Sequence, residues 1–286
     1  MTDATADAHR KRRPAHTHTK TLSDGVEIPV LGLGLYKAPP GERARNAVKA
    51  ALEAGFRHID TASSYHNEAD VARAVRESHL SREDVFITTK LWKEDMGHDA
   101  TLRACEKSLE ELETDYIDLY LIHWPVPGKR DESWRAMEEL HADGRVRAIG
   151  VSNYTIDHLR HLLSWADVCP AIDQVEFSPF LYQHELLSYC RDHGIQLEAY
   201  SPLTRKRRLR DDRLKQIATA AERTPAQVLL RWAIQHDLVV LVKSLKQDHL
   251  KEDAAVFDFE LSPAAMHELD TLDEGFRVAW DPTDVE

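Results

Sequence analysis

The segment that decides the fold reads IDLYLIHW, at residues 117–124. Apolar residues occupy both alternating faces of this run, which is typical of a strand that is buried on both sides in a parallel sheet. A helical spacing of apolar residues precedes it, at Leu102, Cys105, Leu109 and Leu112. A helix followed by a fully buried strand is the repeating unit of an α/β fold.

Seven further runs share the short, apolar character of this strand, and they lie at residues 31–36, 58–62, 85–91, 148–153, 171–178, 196–202 and 239–244. Helical patterns separate them, and two helices are expected to begin at Thr224-Pro225 and Ser262-Pro263, each a capping residue followed by proline. Eight strand–helix units without a linker predict a closed (β/α)8 TIM barrel. A doubly wound open sheet is the alternative.

The chain has 286 residues, and one such barrel usually needs about 250. Residues 19–30 predict a short N-terminal β-hairpin around a Ser-Asp-Gly turn. We therefore expect one barrel domain over residues 19–286. Residues 1–18 lack the apolar stretch of a secretory signal and predict a disordered tail. Its RKRR run is interpreted as solvated charge, with a nucleic-acid contact as the second interpretation.

Charge and cysteine content limit the class of protein. The net charge of −12 argues against a nucleic acid or an anionic membrane as the partner. Cys105, Cys169 and Cys190 form no CxxC motif, so we expect neither a disulfide framework nor a metal site, and we expect a cytoplasmic location. The sequence contains no run of about 18 apolar residues, so we expect no helix that spans a membrane. The prediction is a soluble monomer that acts on a small molecule.

Polar residues end three consecutive predicted strands, where a barrel places its active site. Asp60 and Tyr65 follow the second strand, Lys90 ends the third and His123 ends the fourth. A tyrosine with a pKa near ~10 is a poor proton donor at neutral pH, and a nearby ammonium lowers that pKa. Lys90 would supply this charge, Asp60 would hold Lys90 in an ion pair, and His123 would orient a substrate oxygen.

These residue types suit the reduction of a carbonyl group with Tyr65 as the general acid. No side chain donates hydride, so a nicotinamide cofactor must supply it. Three alternatives compete with this hypothesis. A Rossmann dehydrogenase would need a third glycine after Gly32 and Gly34, and a metal-dependent hydrolase would need partners for His123. A non-catalytic, cofactor-binding subunit on the same barrel is the third.

The chain resembles the aldo-keto reductase family from about residue 20 to its end. The matching segments are GFRHIDTA at 55–62, YHNE at 65–68, TTKLW at 88–92, LIHWP at 121–125, GRVRAIGVSNY at 144–154, DQVEFSP at 173–179, AYSPL at 199–203 and VFDFELS at 256–262. The ending WDPT at 280–283 resembles the small prokaryotic members, including diketogluconate- and glyoxal-type reductases. The resemblance implies the same barrel and places Asp60, Tyr65, Lys90 and His123 in the family's catalytic tetrad.

The resemblance also implies a set of cofactor contacts after the later strands, near the usual phosphate site of such barrels. They are Ser152, Asn153 and Gln174 at the nicotinamide carboxamide, Tyr200 stacked on the nicotinamide ring, Ser201, Leu203 and Thr204 over the pyrophosphate with Lys37 near it, Lys243 and Ser244 at the 2′-phosphate, and Glu252 at the adenine.

Two positions depart from the family pattern and bear on cofactor choice. His249 stands where the family usually has arginine, and Asp253 stands where it usually has asparagine. Arginine would hold a 2′-phosphate with two hydrogen bonds, whereas histidine is largely neutral at pH 7. We therefore expect NADPH as the cofactor, with NADH also accepted.

Aromatic residues are expected at the substrate mouth. Tyr36 stands where the family often has tryptophan, and with Trp92 and Trp124 it would form a wall beside His123. Such walls accept small apolar or partly polar carbonyls. The basic run at 205–208 has three interpretations, which are a pyrophosphate contact, a contact with an acidic substrate, and a solvated loop.

Overall fold

A computed structural model describes residues 18–285 as a closed barrel of parallel strands. The barrel strands, in chain order, are β3 (Leu31–Gly34), β4 (His58–Asp60), β5 (Phe86–Leu91), β6 (Ile117–Ile122), β7 (Val146–Ser152), β8 (Ile172–Glu176), β9 (Gln196–Tyr200) and β10 (Val239–Val242). Each strand pairs with the next along the chain, and β10 closes the barrel on β3. The predicted TIM barrel is confirmed, and the open sheet is wrong.

A two-stranded hairpin precedes the barrel, as predicted. Its strands β1 (Thr19–Thr21) and β2 (Glu27–Pro29) are antiparallel. Leu22 and Ile28 of this hairpin are buried in a cluster with inward-facing strand residues such as Leu119. The hairpin therefore closes the end of the barrel at which the strands begin, and the open mouth lies at the opposite end.

Ten helices surround the strands within residues 18–285. They are α1 (Glu42–Glu53), α2 (Glu68–Glu77), α3 (His98–Glu111), α4 (Arg130–Ala142), α5 (Ile156–Leu163), α6 (His184–Asp192), α7 (Asp212–Ala220), α8 (Pro225–Gln235), α9 (Gln247–Ala254) and α10 (Pro263–Asp270). The main hydrophobic core lies between them and the outer face of the barrel. Helix α8 begins where predicted, because the Thr224 hydroxyl accepts a hydrogen bond from the Gln227 amide and Pro225 follows the cap.

Strand ends differ from the sequence prediction by at most two residues. Strand β3 ends at Gly34 rather than at residue 36, so that Tyr36 and Lys37 lie in a turn at the mouth. Strand β7 begins earlier than predicted, at Val146, just after the turn at Gly144. Pattern alone places such boundaries loosely because polar strand ends resemble loops.

Gly150 shows how tightly the strands approach each other. A Cβ atom at this position would lie 2.6 Å from the carbonyl oxygen of Ile172 on the neighbouring strand. No real side chain accepts that distance, so only glycine fits in β7 here.

The disordered tail predicted for residues 1–18 falls almost entirely outside the described part of the chain. Residues 1–17 are not described, and His18 stacks on Phe257 with ring centroids 4.0 Å apart. None of the helices within residues 18–285 combines the length and the apolar character needed to cross a bilayer.

Candidate active site

A buried ion pair lies at the centre of the barrel mouth. The Lys90 Nζ donates to Asp60 Oδ2 at 2.6 Å and to the Thr61 carbonyl at 2.8 Å. Lys90 is fully buried and Asp60 almost so. Neighbouring strands β4 and β5 pair in register, with Asp60 opposite Thr88, which sets the two side chains within reach. The predicted contact between these residues is present.

Tyr65 and His123 lie above this pair. Tyr65 ends a 3₁₀ turn, Ser63–Tyr65, and its hydroxyl lies 3.4 Å from His123 Nε2. The Lys90 Nζ is 5.3 Å from the centroid of the Tyr65 ring. The four residues predicted as a catalytic set therefore converge on one spot, although they come from three strand ends.

The pKa of Tyr65 corrects part of the sequence argument. Burial raises this pKa well above its usual value, and the negative charge of Asp60 adds to the increase. The sequence prediction considered only the ammonium of Lys90, but burial and the charge of Asp60, to which Lys90 is hydrogen-bonded, make the net shift upward. The phenol is consequently fully protonated at neutral pH.

His123 is the neutral partner of that phenol. Burial lowers its pKa well below the ordinary value, and the Lys90 charge acts in the same direction. Trp92 packs edge-on against the imidazole, with ring centroids 5.0 Å apart. A neutral imidazole in this position can donate one hydrogen bond to an oxygen placed between it and Tyr65.

Four of the predicted nicotinamide contacts form one connected polar group at the ends of β7, β8 and β9. The Tyr200 hydroxyl donates to Asn153 Oδ1 at 2.7 Å, and Asn153 Nδ2 donates to the His123 carbonyl at 3.0 Å. Ser152 Oγ donates to the Gln174 carbonyl at 2.8 Å. Asn153 has a left-handed backbone, with φ of 64°. These bonds fix the side chains beside Tyr65 and His123.

The loop after β9 carries strained backbone. Ser201, Thr204, Arg205 and Lys206 have φ between 48° and 68°, a region that residues with side chains seldom adopt. Thr204 is buried, and its hydroxyl accepts from the Arg208 amide at 3.1 Å, while Leu203 packs on the core. Each such residue costs on the order of 1–3 kcal/mol, and strain of this kind gathers at ligand-binding segments.

The basic run at 205–208 divides into two parts. Arg208 pairs with Glu274 and lies 3.9 Å over the Phe276 ring, so it fastens the loop to the C-terminal segment. Arg205 instead lies over Tyr36, with its Cζ 5.6 Å from the ring centroid. The pKa of Lys243 is lowered by burial and then by the charges of Lys37 and Arg205. Three cations thus gather at one side of the mouth.

These three cations form no direct ion pair in the part of the chain that the structure describes, and the carboxylate of Glu176 reaches Arg205 only at longer range. Neither Lys37, Arg205 nor Lys243 forms an ion pair with an acid within residues 18–285. Mutual repulsion makes such a cluster unfavourable unless an anion binds there. The observation fits the phosphates of a dinucleotide.

The residues predicted to contact the adenosine end of the cofactor lie just after β10 and on helix α9. Ser244 is buried and its hydroxyl accepts from the Lys246 amide at 3.1 Å, whereas His249 is exposed on α9. Glu252 accepts from the Thr224 hydroxyl at 2.5 Å. Asp253 is buried, and burial raises its pKa to about 7, with the charge of Glu252 adding to the shift.

The aromatic wall has one member that the sequence argument missed. Trp280 lies with its ring edge-on to Trp124, centroids 5.8 Å apart, and remains 65% exposed. Tyr36 packs against Tyr65 at 5.4 Å and is itself exposed. The only signal for Trp280 was the WDPT ending, which carries no information about where the C-terminal segment lies.

Glu176 holds that segment in place. Its carboxylate, buried at the end of β8, accepts hydrogen bonds from the amides of Val278 and Ala279 at 2.7 Å and 2.8 Å. Two bonds to consecutive amides fix the backbone just before Trp280. The tryptophan ring is therefore set at the mouth by a contact between residues 102 positions apart.

No group of three or more metal-ligating side chains occurs within residues 18–285. The three cysteines are unpaired.

Comparisons with known proteins agree with this geometry. The aldo/keto reductase family model matches residues 30–274. The chain is 48% identical to glyoxal reductase of Bacillus subtilis, covering 93% of this chain and 97% of that protein. It is 43% identical to morphine 6-dehydrogenase of Pseudomonas putida over 93% of this chain and 94% of that one.

A solved structure shows the same likeness. The aldo-keto reductase MGS-M4, from a Medee basin deep-sea metagenome library, matches with a TM-score of 0.90 and 40% identity, covering 94% of this chain and all of that one. The protein belongs to the aldo-keto reductase family and is a nicotinamide-dependent oxidoreductase. Both the predicted family and the predicted enzyme class are confirmed.

Proposed function

We propose that this enzyme reduces small aldehydes and ketones to alcohols, with Tyr65 as the proton donor. The observation that carries the proposal is the convergence of Tyr65, His123 and the buried Lys90–Asp60 pair at one point of the mouth. A reduced nicotinamide, when bound, supplies the hydride. The relatives named above are called a glyoxal reductase, a morphine 6-dehydrogenase and an aldo-keto reductase, and these names support the same kind of chemistry here.

Tyr65 and His123 would share the substrate oxygen. The gap of 3.4 Å between the Tyr65 hydroxyl and His123 Nε2 allows both groups to approach one oxygen atom. As negative charge develops on that oxygen, the phenol proton moves to it. An alkoxide is a much stronger base than a phenolate, so a phenol with a raised pKa still protonates it. Lys90 then stabilises the phenolate that remains.

The chain's own residues are suited to hold a dinucleotide. Tyr200 presents a half-buried ring, fixed through its hydroxyl, for stacking on the nicotinamide. The Gln174 amide nitrogen already donates to the carboxyl groups of Asp60 and Glu198, so its oxygen is the atom that would accept from a carboxamide. Lys37, Arg205 and Lys243 would meet the phosphates. We assign Ser152, Asn153, Ser201, Leu203, Thr204 and Ser244 to the same site, in supporting positions.

Consumption of the cofactor tests the proposal directly. With methylglyoxal or 4-nitrobenzaldehyde, we expect the reduced-nicotinamide absorbance to fall in step with the formation of one alcohol per cofactor. A protein that binds the cofactor tightly yet never oxidises it, across a panel of aldehydes, ketones and keto acids, would instead be a regulatory subunit on the same barrel.

Cofactor choice gives a second prediction. We propose NADPH as the preferred cofactor with NADH accepted, because His249 is exposed and adds little to the charge of Lys243 at the 2′-phosphate. The ratio of kcat/KM values, NADPH over NADH, should be below about 1,000, which is ~4 kcal/mol. His249→Arg should raise the ratio about 10- to 100-fold, since a charge-assisted bond contributes roughly 1.5–3 kcal/mol.

A matched control separates position from charge. His267 is an exposed histidine on α10, so His267→Arg adds the same guanidinium elsewhere. An equal rise of the ratio in both variants would contradict the assignment of His249 to the phosphate site.

We include Glu252 and Asp253 at the adenine end of the site, where the raised pKa of Asp253 favours its neutral, hydrogen-bond-donating form below about pH 7.

Trp280 gives a third prediction, on substrate choice. We propose that Tyr36, Trp92, Trp124 and Trp280 contact the substrate. Trp280→Ala should raise KM for 4-nitrobenzaldehyde about 2- to 13-fold, because an aromatic pair contributes roughly 0.5–1.5 kcal/mol. KM for methylglyoxal should change less than twofold, and Trp280→Phe should retain most of the wild-type value. Equal losses for both substrates would show that the residue only holds the tail.

We also propose that the enzyme works as a cytoplasmic monomer, free of membrane and nucleic acid. The three unpaired cysteines support a reducing compartment.

A further inference from the structure

The barrel interior holds a carboxyl group that the proposed chemistry does not use. Glu198 of β9 is fully buried. Its Oε2 accepts a hydrogen bond from Gln174 Nε2 at 2.7 Å, and its Oε1 has no hydrogen-bond partner among residues 18–285. His58 Nε2 lies 3.7 Å from Oε1, beyond hydrogen-bond distance. A buried carboxyl that is only half satisfied calls for an explanation.

One amide joins this carboxyl to the ion pair beneath Tyr65. The Gln174 Nε2 donates to Glu198 and also to Asp60 Oδ2, at 2.8 Å. Asp60 Oδ2 accepts from the Lys90 ammonium as well. Both hydrogens of the amide are used in this bridge, so any movement of Glu198 reaches Asp60 through a single side chain.

The charges around Glu198 leave it without a cation of its own. His58 and Asp60 face it from β4, Lys90 from β5 and the neutral Gln174 from β8, while its register partner on β10, Val239, is apolar. Lys90 is committed to Asp60. Burial lowers the pKa of His58 to about 3, so His58 is neutral. An ionised Glu198 would therefore be an uncompensated charge in the core, which is strongly unfavourable.

We propose that Glu198 is a positioning residue, which holds Gln174 and the Lys90–Asp60 pair in place as a neutral carboxylic acid and slows turnover when it ionises. The proposal rests on the proposed function, because it acts through the proton donor of that reaction. Glu198 touches neither substrate nor cofactor.

Ionisation would disturb the site in two ways. A charged Glu198 competes with Asp60 for the Gln174 amide and for the Lys90 ammonium. It also adds negative potential near Tyr65, which makes the phenol a weaker acid. Burial, followed by the charge of Asp60, raises the pKa of Glu198 to about 8, whereas that of Tyr65 lies well above its usual value. The loss of activity should therefore begin in mildly alkaline solution, before Tyr65 itself ionises.

The pH dependence of kcat tests this inference. In the wild-type enzyme, kcat for 4-nitrobenzaldehyde reduction should fall above about pH 8, by up to roughly tenfold per pH unit. Glu198→Gln keeps the shape of the neutral acid and cannot ionise, so it should retain most of the neutral-pH activity and lose this alkaline decline. Glu68 is a second buried carboxyl with a raised pKa, bonded to Thr89, and Glu68→Gln should leave the decline in place.

Thermal stability gives a readout that needs no turnover. A carboxyl whose pKa rises from 4.5 to about 8 on folding keeps its proton after the unfolded chain has lost it. Its contribution to stability therefore falls as pH increases between those two values and is constant above them. The Tm of Glu198→Gln minus that of wild type should grow from about pH 5 to about pH 8 and then level off.

The outcomes separate this inference from the proposed function. A Tm difference that is flat with pH, or an alkaline decline in kcat that Glu198→Gln leaves unchanged, would overturn the role of Glu198. If Tyr65→Phe were fully active while the Tm difference followed the expected curve, the proposed function would fail, and Glu198 would remain a neutral acid without the catalytic link.

Discussion

Replacing Tyr65 with Phe should lower kcat by about 10²- to 10⁴-fold, the range that a positioned general acid contributes. The change removes one oxygen atom and leaves the ring in contact with Tyr36 and His123. Dinucleotide affinity should be nearly unchanged, because the cations assigned to the phosphates lie elsewhere. Steady-state kinetics together with a fluorescence titration of the cofactor measure the two quantities separately.

Tyr116→Phe is the matched control for this variant. Tyr116 lies under the Arg82 side chain, with its ring centroid 4.3 Å from Arg82 Cζ. The Tyr116 hydroxyl takes no part in the site. The control should retain wild-type kcat. Normal turnover by Tyr65→Phe would refute the assignment of the proton donor and, with it, the proposed mechanism.

Replacing Lys90 with Met should affect stability and activity together. The ammonium is fully buried against Asp60, so its removal leaves a buried carboxylate without a counter-ion. Breaking such a pair costs roughly 3–5 kcal/mol of unfolding free energy. The loss of the charge that stabilises the Tyr65 phenolate should also lower kcat at least about 100-fold. Urea unfolding and single-turnover kinetics measure the two effects.

A second substitution distinguishes the two contributions of Lys90. In the double variant Lys90→Met with Asp60→Asn, no charge is stranded, so most of the lost stability should return. Activity should stay low, because the phenolate still has no cation beside it. A double variant that recovered turnover as well would mean that Lys90 acts only on folding.

Local pattern was sufficient to predict the fold. Strands buried on both faces carry continuous apolar runs, and helices carry apolar residues every three or four positions, so the order of elements follows from the sequence. The caps at Thr224 and Ser262 act through hydrogen bonds to amides three residues later, which is why they were predicted correctly. The arrangement of parallel strands then brought Asp60, Lys90 and His123 to one mouth.

Other properties depended on contacts between distant parts of the chain. Trp280 reaches Trp124 because distant residues, Glu176 among them, hold the C-terminal segment. The basic run at 205–208 could not be divided by sequence, since Arg208 meets Glu274 while Arg205 faces Tyr36. Neither partner is adjacent in the chain.

By itself, the sequence determined the barrel, the family and the identities of the residues at its mouth, because these depend on spacing and on the ends of strands. Only the tertiary structure decided the protonation states. The pKa of Tyr65 is raised rather than lowered, and burial raises that of Glu198 to about 8. Loss of water and the charges of neighbouring strands set those states, and both exist only once the chain has folded.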